Sequence, residues 1–151
     1  MHQFIYPAVL TADEQGGGFV VSFPDVPEAI TQGHDVGDAL RQGADCLEEA
    51  IAGRIRRGEP IPEPSRPGPA QHAVPLPAQT AAKAALYVAL RQAQLTEAGL
   101  AQRLGWEEAD VRRLLNPRHA SNLSKLECAL GALGRQLIVG FEAVAWAAEP
   151  K

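Results

Sequence analysis

The sequence predicts a two-part α+β protein in which a small unit of strands and one helix precedes a purely helical unit. Residues 1–33 contain short apolar runs separated by Gly and Pro, which is typical of strands joined by turns. Residues 59–77 contain seven prolines, and such a segment cannot form a helix or a central strand. From residue 78 onward Ala and Leu dominate, and both residues favour helices, so Ala78–Gln94 is expected to form one continuous helix.

Three strands are expected near the start of the chain. Residues 2–10 (HQFIYPAVL) form the first, and Pro7 within it indicates an edge position or a bulge. The glycines at 16–18 can return the chain as a hairpin. Residues 19–23 (FVVSF) then form the second strand, and residues 29–32 (AITQ) form the third.

One helix follows these strands. Asp35 is expected to cap its start, and Gly58 is expected to lie at its end. Between them apolar residues recur every three or four positions, which places one apolar stripe on a helix: Val36, Leu40, Ala44, Leu47, Ile51 and Ile55. The proline-rich residues 59–71 then predict an extended linker, and residues 72–76 are expected to add an edge strand.

The two predicted domains, residues 1–77 and residues 78–151, differ in charge. Residues 1–58 contain nine acidic residues against four arginines, whereas the second domain contains nine basic residues against seven acidic ones. The overall net charge of −4 hides this difference. The first domain is therefore expected to repel nucleic acid, while the second can approach it.

The helical domain contains a pattern typical of a helix-turn-helix. Thr96 caps a helix that runs to about Leu104, Gly105 marks a sharp turn, and Glu107–Leu115 forms the next helix. Pro117 stops that helix, because proline disfavours helical backbone in the residue before it.

Two elements are expected after the turn-linked helices. Ser124–Glu127 is expected to be a capping box that opens a helix running through Leu133. The apolar residues 137–141 (LIVGF) are expected to form a short terminal strand, and an exposed apolar edge of this kind needs a partner. Because a single helix-turn-helix buries little DNA surface, a homodimer or homotetramer is expected.

The outward side chains of the second helix are the candidates for contacts with bases. Val111, Leu114 and Leu115 should face the core, which leaves Glu108, Arg112 and Arg113 outside to enter a DNA groove. Phosphate contacts are expected from exposed donors on or near helix ends: Arg103, Arg118, His119, Asn122, Ser124 and Lys125. The alternative is a plain helical bundle with solvated basic residues, and the order of cap, small residue, Gly turn and basic segment favours DNA binding.

Several other classes of protein do not fit. The two cysteines, Cys46 and Cys128, are expected to be buried thiols in a reducing cytoplasm, and no segment indicates secretion or a membrane span. The four histidines lack metal-ligand spacing, and the first strand has no acid that could join a cluster of metal-binding carboxylates. No enzyme activity, catalytic residue, metal or cofactor is therefore expected.

The chain resembles a known family over most of its length. The stretches FIYPAVL, FVVSFPDVPEAITQGHD, ALRQGADCLEEAI and GEPIPEPS resemble HicB antitoxins. The stretches LAQRLG, RRLLNPRHASNLSKLE and ALGALGRQLIV resemble the Cro/repressor-type helix-turn-helix that closes many of these proteins. The resemblance implies that the first domain has a partial ribonuclease-H-like fold.

The resemblance also implies partners. HicB proteins bind HicA toxins, which are small basic ribonucleases, and the complex represses its own promoter. The acidic first domain suits a basic partner, because complementary potentials speed encounter. The expected toxin-binding residues are Phe23, Pro24, Asp25, Val26, Pro27, Glu28, Asp45, Glu48 and Glu49. The open alternative is a stand-alone helix-turn-helix repressor with an N-terminal sensor domain.

Overall fold

The computed structural model describes residues 1–144, which form two compact units. The first unit comprises residues 1–50, 62–76 and 140–144, and the second comprises residues 51–61 and 77–139. The first unit contains a sheet and most of a long helix, whereas the second is helical. The predicted α+β fold class is therefore confirmed.

Four antiparallel strands form the sheet of the first unit. They are β1 (Ile5–Ala12), β2 (Phe19–Ser22), β3 (Ile30–Gly33) and β4 (His72–Pro75). Their order across the sheet is β3-β2-β1-β4. All three N-terminal strands and the edge strand after the prolines were predicted, although the first begins at Ile5 rather than residue 2.

Pro7 was expected to indicate an edge position or a bulge, but β1 lies inside the sheet, and the local pairing explains how the proline is tolerated there. Around Pro7 the strand pairs only with β4, and it pairs with β2 only from Val9 onward. The carbonyl of Phe4 accepts a hydrogen bond from the Leu76 amide, and the bonding direction alternates along a strand. The Pro7 nitrogen therefore faces away from β4, where no strand needs its missing hydrogen.

The hairpin between β1 and β2 closes through Asp13. Its carbonyl accepts from the Gly17 amide at 2.9 Å, and its amide donates to the Gly18 carbonyl at 3.0 Å. Gly17 and Gly18 have φ angles of +74° and +75°, in the left-handed region that other residues rarely adopt. The predicted glycine turn is confirmed.

The helix α1 (Val36–Arg57) begins and ends where the sequence indicated. The Asp35 carboxylate accepts from the Asp38 amide at 2.8 Å, and the Asp38 carboxylate accepts from the His34 amide at 2.8 Å. This hydrogen bond from His34 lowers the pKa of the Asp38 carboxyl below its usual value. Gly58, with φ of +71°, follows the last turn. The apolar stripe is buried at Leu40, Leu47, Ile51 and Ile55.

The proline-rich segment is irregular, as predicted, and hydrogen bonds to other parts of the chain hold it in place. Residues 59–68 contain no helix or strand. Within the first unit, the Tyr6 hydroxyl donates to the Pro62 carbonyl at 2.7 Å. Ser65 donates from both its amide and its hydroxyl to the Asp25 carboxylate, each at 2.7 Å. These bonds fix an extended chain that prolines already restrict.

Four helices form most of the second unit. They are α2 (Ala78–Gln92), α3 (Glu97–Leu104), α4 (Glu108–Leu115) and α5 (Leu123–Ala132). Each contributes a fully buried apolar side chain to one core: Leu86, Leu100, Val111 and Leu126. All four helices were predicted, with ends that differ by one or two residues.

The predicted terminal strand at residues 137–141 is wrong. Residues 135–144 adopt neither helix nor strand. A strand needs a neighbouring strand for its hydrogen bonds, and none of the four described strands pairs with this segment. The apolar side chains of this segment are instead exposed: Ile138, Val139, Phe141 and Val144.

The hairpin turn yields a paired prediction. Gly17 and Gly18 share nearly the same φ, but an added Cβ meets nothing at Gly17 and would lie 2.3 Å from the Gly33 carbonyl oxygen at Gly18. We expect Gly17→Ala to lower the free energy of unfolding by about 1–2 kcal/mol, the cost of a left-handed alanine. Gly18→Ala should cost clearly more, because backbone must also move. Urea denaturation measures both, and equal losses would contradict the role of the close contact.

Candidate functional site

The turn between α3 and α4 is held by backbone and side-chain bonds. The Thr96 hydroxyl accepts from the Gly99 amide at 3.0 Å and caps α3. Gly105, with φ of +69°, ends α3, and the next amide, that of Trp106, donates to the Ala101 carbonyl at 3.0 Å. Two short helices joined by a tight turn that contains a glycine are the elements from which a helix-turn-helix is built.

The packing at the start of α3 favours a glycine at position 99. It stands where a polar partner for the Thr96 cap is usual. A Cβ at this position would lie 2.8 Å from the Leu95 Cδ1 atom and 3.3 Å from the Thr96 hydroxyl oxygen. A side chain at this position would therefore require the Leu95 side chain to move and would crowd the Thr96 cap.

The helix α4 presents the two faces that the sequence indicated. Val111, Leu114 and Leu115 are buried, and they hold α4 against the core of the second unit. Glu108, Arg112 and Arg113 are exposed on the remaining surface. The three candidates for base contacts are therefore accessible to a ligand.

Both arginines of α4 are paired with acids. The Arg112 guanidinium lies 3.4 Å from the Glu108 carboxylate and 3.6 Å from the Glu97 carboxylate of α3. Arg113 lies 2.8 Å from the Asp110 carboxylate. Exposed pairs of this kind contribute only about 0–1 kcal/mol, so a phosphate or a base can replace the carboxylate. The acids at the start of α4 thus hold the arginines close to the helix surface until a ligand competes.

The candidates for phosphate contacts lie on α3, on α5 and in the connection between α4 and α5. All six side chains are exposed: Arg103, Arg118, His119, Asn122, Ser124 and Lys125. Arg103 also donates to the Ala132 carbonyl at 3.4 Å. The Arg118 amide donates to the Asn116 side chain at 3.0 Å, which turns the chain directly after α4.

The predicted capping box at Ser124 is wrong. The Asn122 side-chain oxygen caps α5, because it accepts from the amides of Ser124 and Lys125 at 2.8 and 3.4 Å. Ser124 lies inside the first turn, where its own amide is one of the groups that need a cap. Asn122 therefore has a structural role in addition to its predicted contact with phosphate.

A buried lysine beneath α4 was missed from the sequence. Lys83 of α2 is 0% exposed, and its ammonium group donates to the carbonyls of Arg113 and Leu114 and to the Ser121 hydroxyl at 2.6–3.0 Å. Burial lowers the pKa of Lys83 to about 8. The available signal was a lysine among the apolar residues of an alanine-rich helix.

The predicted toxin-binding run at residues 23–28 is only partly exposed. Phe23 and Val26 are 1% and 0% exposed and belong to the core of the first unit, so the structure does not offer their side chains to a partner. Pro24, Pro27 and Glu28 are exposed. Consecutive turns explain this alternation, because the Val26 amide bonds to the Phe23 carbonyl at 3.0 Å and the next turn closes in the same way.

The acids of α1 form an exposed face opposite its apolar stripe. Asp45 and Glu49 are exposed and lie one helical turn apart, and Glu48 between them is half-buried. Leu47 and Ile51, on the other side of α1, are fully buried. Residues Asp45, Glu48 and Glu49 are called the acidic face below.

The two cysteines are free, but only one is partly covered. Cys46 is half-buried and its thiol lies 3.5 Å from the Ile30 carbonyl, and burial raises its pKa. Cys128 is exposed on α5, so the prediction of two buried thiols is wrong for it. A cysteine in an apolar pattern can fall at the border of the buried face, where periodicity alone does not distinguish the two sides.

Two features that indicate other classes of protein, a metal site and a membrane-spanning helix, are absent from the described residues. Among residues 1–144, no three His, Cys, Asp or Glu side chains are grouped so that they could hold a metal ion. No helix in this range is long and apolar enough to cross a membrane.

Comparison with known proteins decides the family. The family model described as the HicB-like antitoxin of bacterial toxin-antitoxin systems matches residues 5–85, more than half of the chain. The chain belongs to the HicB-like antitoxin family. The match covers the whole sheet, α1 and the start of α2.

Similar proteins extend this likeness over the helical unit. The Antitoxin HicB of Escherichia coli K12 is 36% identical over 132 residues, which are 87% of this chain and 95% of that protein. The Antitoxin HicB 1 of Photorhabdus laumondii is 36% identical over 146 residues, 93% and 92% of the two chains. The Antitoxin HicB of Pseudomonas fluorescens Pf0-1 is 31% identical over 140 residues, 92% and 96% of the two chains. The resemblance to HicB antitoxins predicted from the sequence is confirmed.

The corrected cap gives a test within one helix turn. Asn122→Ala removes the acceptor for two amides, and we expect it to lower the free energy of unfolding by about 1 kcal/mol. Ser124→Ala is the matched control, and it should change stability by less than about 0.5 kcal/mol because no cap is lost. Chemical denaturation compares the two variants. A larger loss for Ser124→Ala would restore the capping box at Ser124.

Proposed function

We propose that this chain is the antitoxin of a HicA/HicB pair. It binds and neutralises a small basic HicA-type toxin that cleaves mRNA, and it represses its own operon by binding operator DNA. The observation on which the proposal rests is the division of surfaces between the two units. The first unit exposes carboxylates on α1, and the second exposes arginines on a short helix behind a tight turn.

The acidic face supports the toxin-binding half of the proposal. Asp45 and Glu49 are free of any ion pair that the described residues form within the 4.0 Å limit. The exposed Pro24, Pro27 and Glu28 add a second part of the same unit that can contact a partner. A basic protein would be attracted to the acidic face over a range set by the salt concentration. Phe23 and Val26 are buried in the core, where they would hold the exposed residues of the segment 23–28 in place.

The helical unit supports the DNA-binding half. In a helix-turn-helix the second helix enters the major groove, so α4 would place Arg112 and Arg113 against base edges, with Glu108 beside them. Arg103 and the exposed donors at residues 118–125 would contact the phosphates on either side. The intramolecular pairs of the two arginines would be exchanged for contacts with DNA.

The exposed C-terminal segment supports self-association into a homodimer or homotetramer. Ile138, Val139, Phe141 and Val144 are large apolar residues in contact mainly with solvent. A contiguous exposed apolar segment is typical of an interface between chains. Packing against a second copy would cover it and would present two copies of α4 to successive turns of a duplex.

Membership of the HicB-like antitoxin family also favours binding of a toxin over an enzyme activity or a stand-alone repressor with a sensor domain. The relatives are named as antitoxins, and we propose no enzyme activity for this chain. A stand-alone repressor with a sensor domain would leave the acidic face unexplained.

The acidic face gives the first prediction of function. Asp45→Lys with Glu49→Lys reverses two charges on exposed positions, so the association rate with the basic partner should fall by about tenfold or more at low salt. Surface plasmon resonance with the product of the neighbouring reading frame measures this rate. DNA binding by the same variant should not fall.

The control for this experiment carries the same charge change elsewhere. Glu14→Lys with Glu63→Lys alters two exposed acids, one in the β1–β2 turn and one in the proline-rich segment. If both pairs slow association equally, the effect comes from net charge and the acidic face is not the binding site.

The arginines of α4 give the second prediction. Arg112→Ala with Arg113→Ala should abolish specific binding to DNA from upstream of the reading frame, since each base contact contributes about 1–3 kcal/mol. Electrophoretic mobility shift at fixed salt measures the loss. Neutralisation of the toxin should remain intact.

A pair with the same charge loss controls for electrostatics. Arg56→Ala with Arg57→Ala removes two exposed cations at the end of α1, outside α3 and α4. Specific binding should survive in this pair. Loss of neutralisation in the Arg112 and Arg113 variant would contradict the separation of roles.

A further inference from the structure

The most unusual group in the second unit is the buried ammonium of Lys83. Its three donors have three acceptors, namely the Arg113 carbonyl at 3.0 Å, the Leu114 carbonyl at 2.9 Å and the Ser121 hydroxyl at 2.6 Å. A lysine is almost never fully buried unless it is paired. None of these acceptors is a carboxylate, so the charge is stabilised by dipoles alone.

The acceptors of Lys83 belong to the end of the candidate groove helix. The last four carbonyls of a helix lack partners within it, and they form the negative end of the helix dipole. Lys83 satisfies two of these carbonyls in α4, one of which belongs to Arg113, a candidate for base contact. These hydrogen bonds therefore hold the C-terminal end of α4 against α2.

The third acceptor connects the same lysine to the segment that leads into α5. One turn before Lys83 on α2, the Gln79 side chain accepts from the Ser121 amide at 2.7 Å. Ser121 is thus held through both its amide and its hydroxyl. Ser121 lies in the connection between α4 and α5, residues 116–122. This connection contains three of the predicted phosphate contacts: Arg118, His119 and Asn122.

We propose that Lys83 is a positioning residue for DNA binding. By bonding to the end of α4 and to Ser121 together, it fixes the groove-facing arginines relative to the phosphate-contacting connection, so that both reach one duplex. This inference rests on the proposed DNA binding. Lys83 also contributes to stability, because its removal would leave buried acceptors without a partner, so the test has to separate the loss of stability from the loss of affinity for DNA.

The decisive variant is Lys83→Met in the full chain. Methionine has a similar length but no donor, so the midpoint of urea unfolding should shift to a lower concentration, because buried acceptors lose a partner, while the variant remains folded without urea. The affinity for duplex DNA from upstream of the reading frame should nevertheless fall by about tenfold or more, because base contacts lose their geometry. Binding to an unrelated duplex of the same length should change much less, since nonspecific binding depends mainly on charge.

Two further measurements separate positioning from charge loss. Hydrogen exchange at the Ser121 amide should become faster in Lys83→Met, which reports the release of residues 116–122 without any DNA. Arg41→Met removes one exposed charge from α1 and should leave operator affinity unchanged. If Lys83→Met does not fold, Ser121→Ala removes one acceptor and must weaken operator binding severalfold while it stays folded.

The outcomes distinguish this inference from the function beneath it. If the unaltered protein and Lys83→Met bind upstream DNA equally well, Lys83 is a structural residue only and the inference is wrong. If the unaltered protein ignores every duplex at low salt, the proposed repressor function fails and the inference fails with it. A loss of operator affinity in a variant that remains folded and still binds the unrelated duplex would support positioning.

Discussion

The second unit depends on how the backbone groups at the ends of its short helices are satisfied. The helices α3 and α4 have eight residues each, and helices of this length are marginal in water without outside support. Thr96, Gly105 and Asn122 satisfy ends from nearby in the sequence, whereas Lys83 satisfies the end of α4 from a different helix. The position of the outward arginines follows from these bonds as much as from the apolar core.

Charge divides the chain in the way that the two proposed kinds of partner require. The first unit exposes acids on α1, while the arginines of α4 are held in weak pairs with acids at the start of their own helix. Under the proposed function, such pairs would suppress nonspecific attraction until phosphates and bases offered a better set of acceptors. A protein that has to bind both a basic partner and a polyanion needs this separation, because a uniform surface charge would repel one of them.

Much of the fold was predictable because it is local. The strands, the glycine turn, α1 with its Asp35 cap, and the four later helices each follow from residues within a few positions of one another. The accessible and buried faces of α4 were also correct, since helical period alone separates Val111 from Arg112. Pro7 was expected at an edge, and it is tolerated inside the sheet because its nitrogen faces an unpaired side of β1.

The sequence by itself determined the order of elements, the charge of each part and the family. Only the tertiary structure decided which residues near each predicted site remain accessible. Phe23 and Val26 are core residues, and Lys83 bonds to residues thirty or more positions away. The reason is physical: burial and long-range hydrogen bonds depend on distances between elements, and a helical or strand period describes only one element at a time.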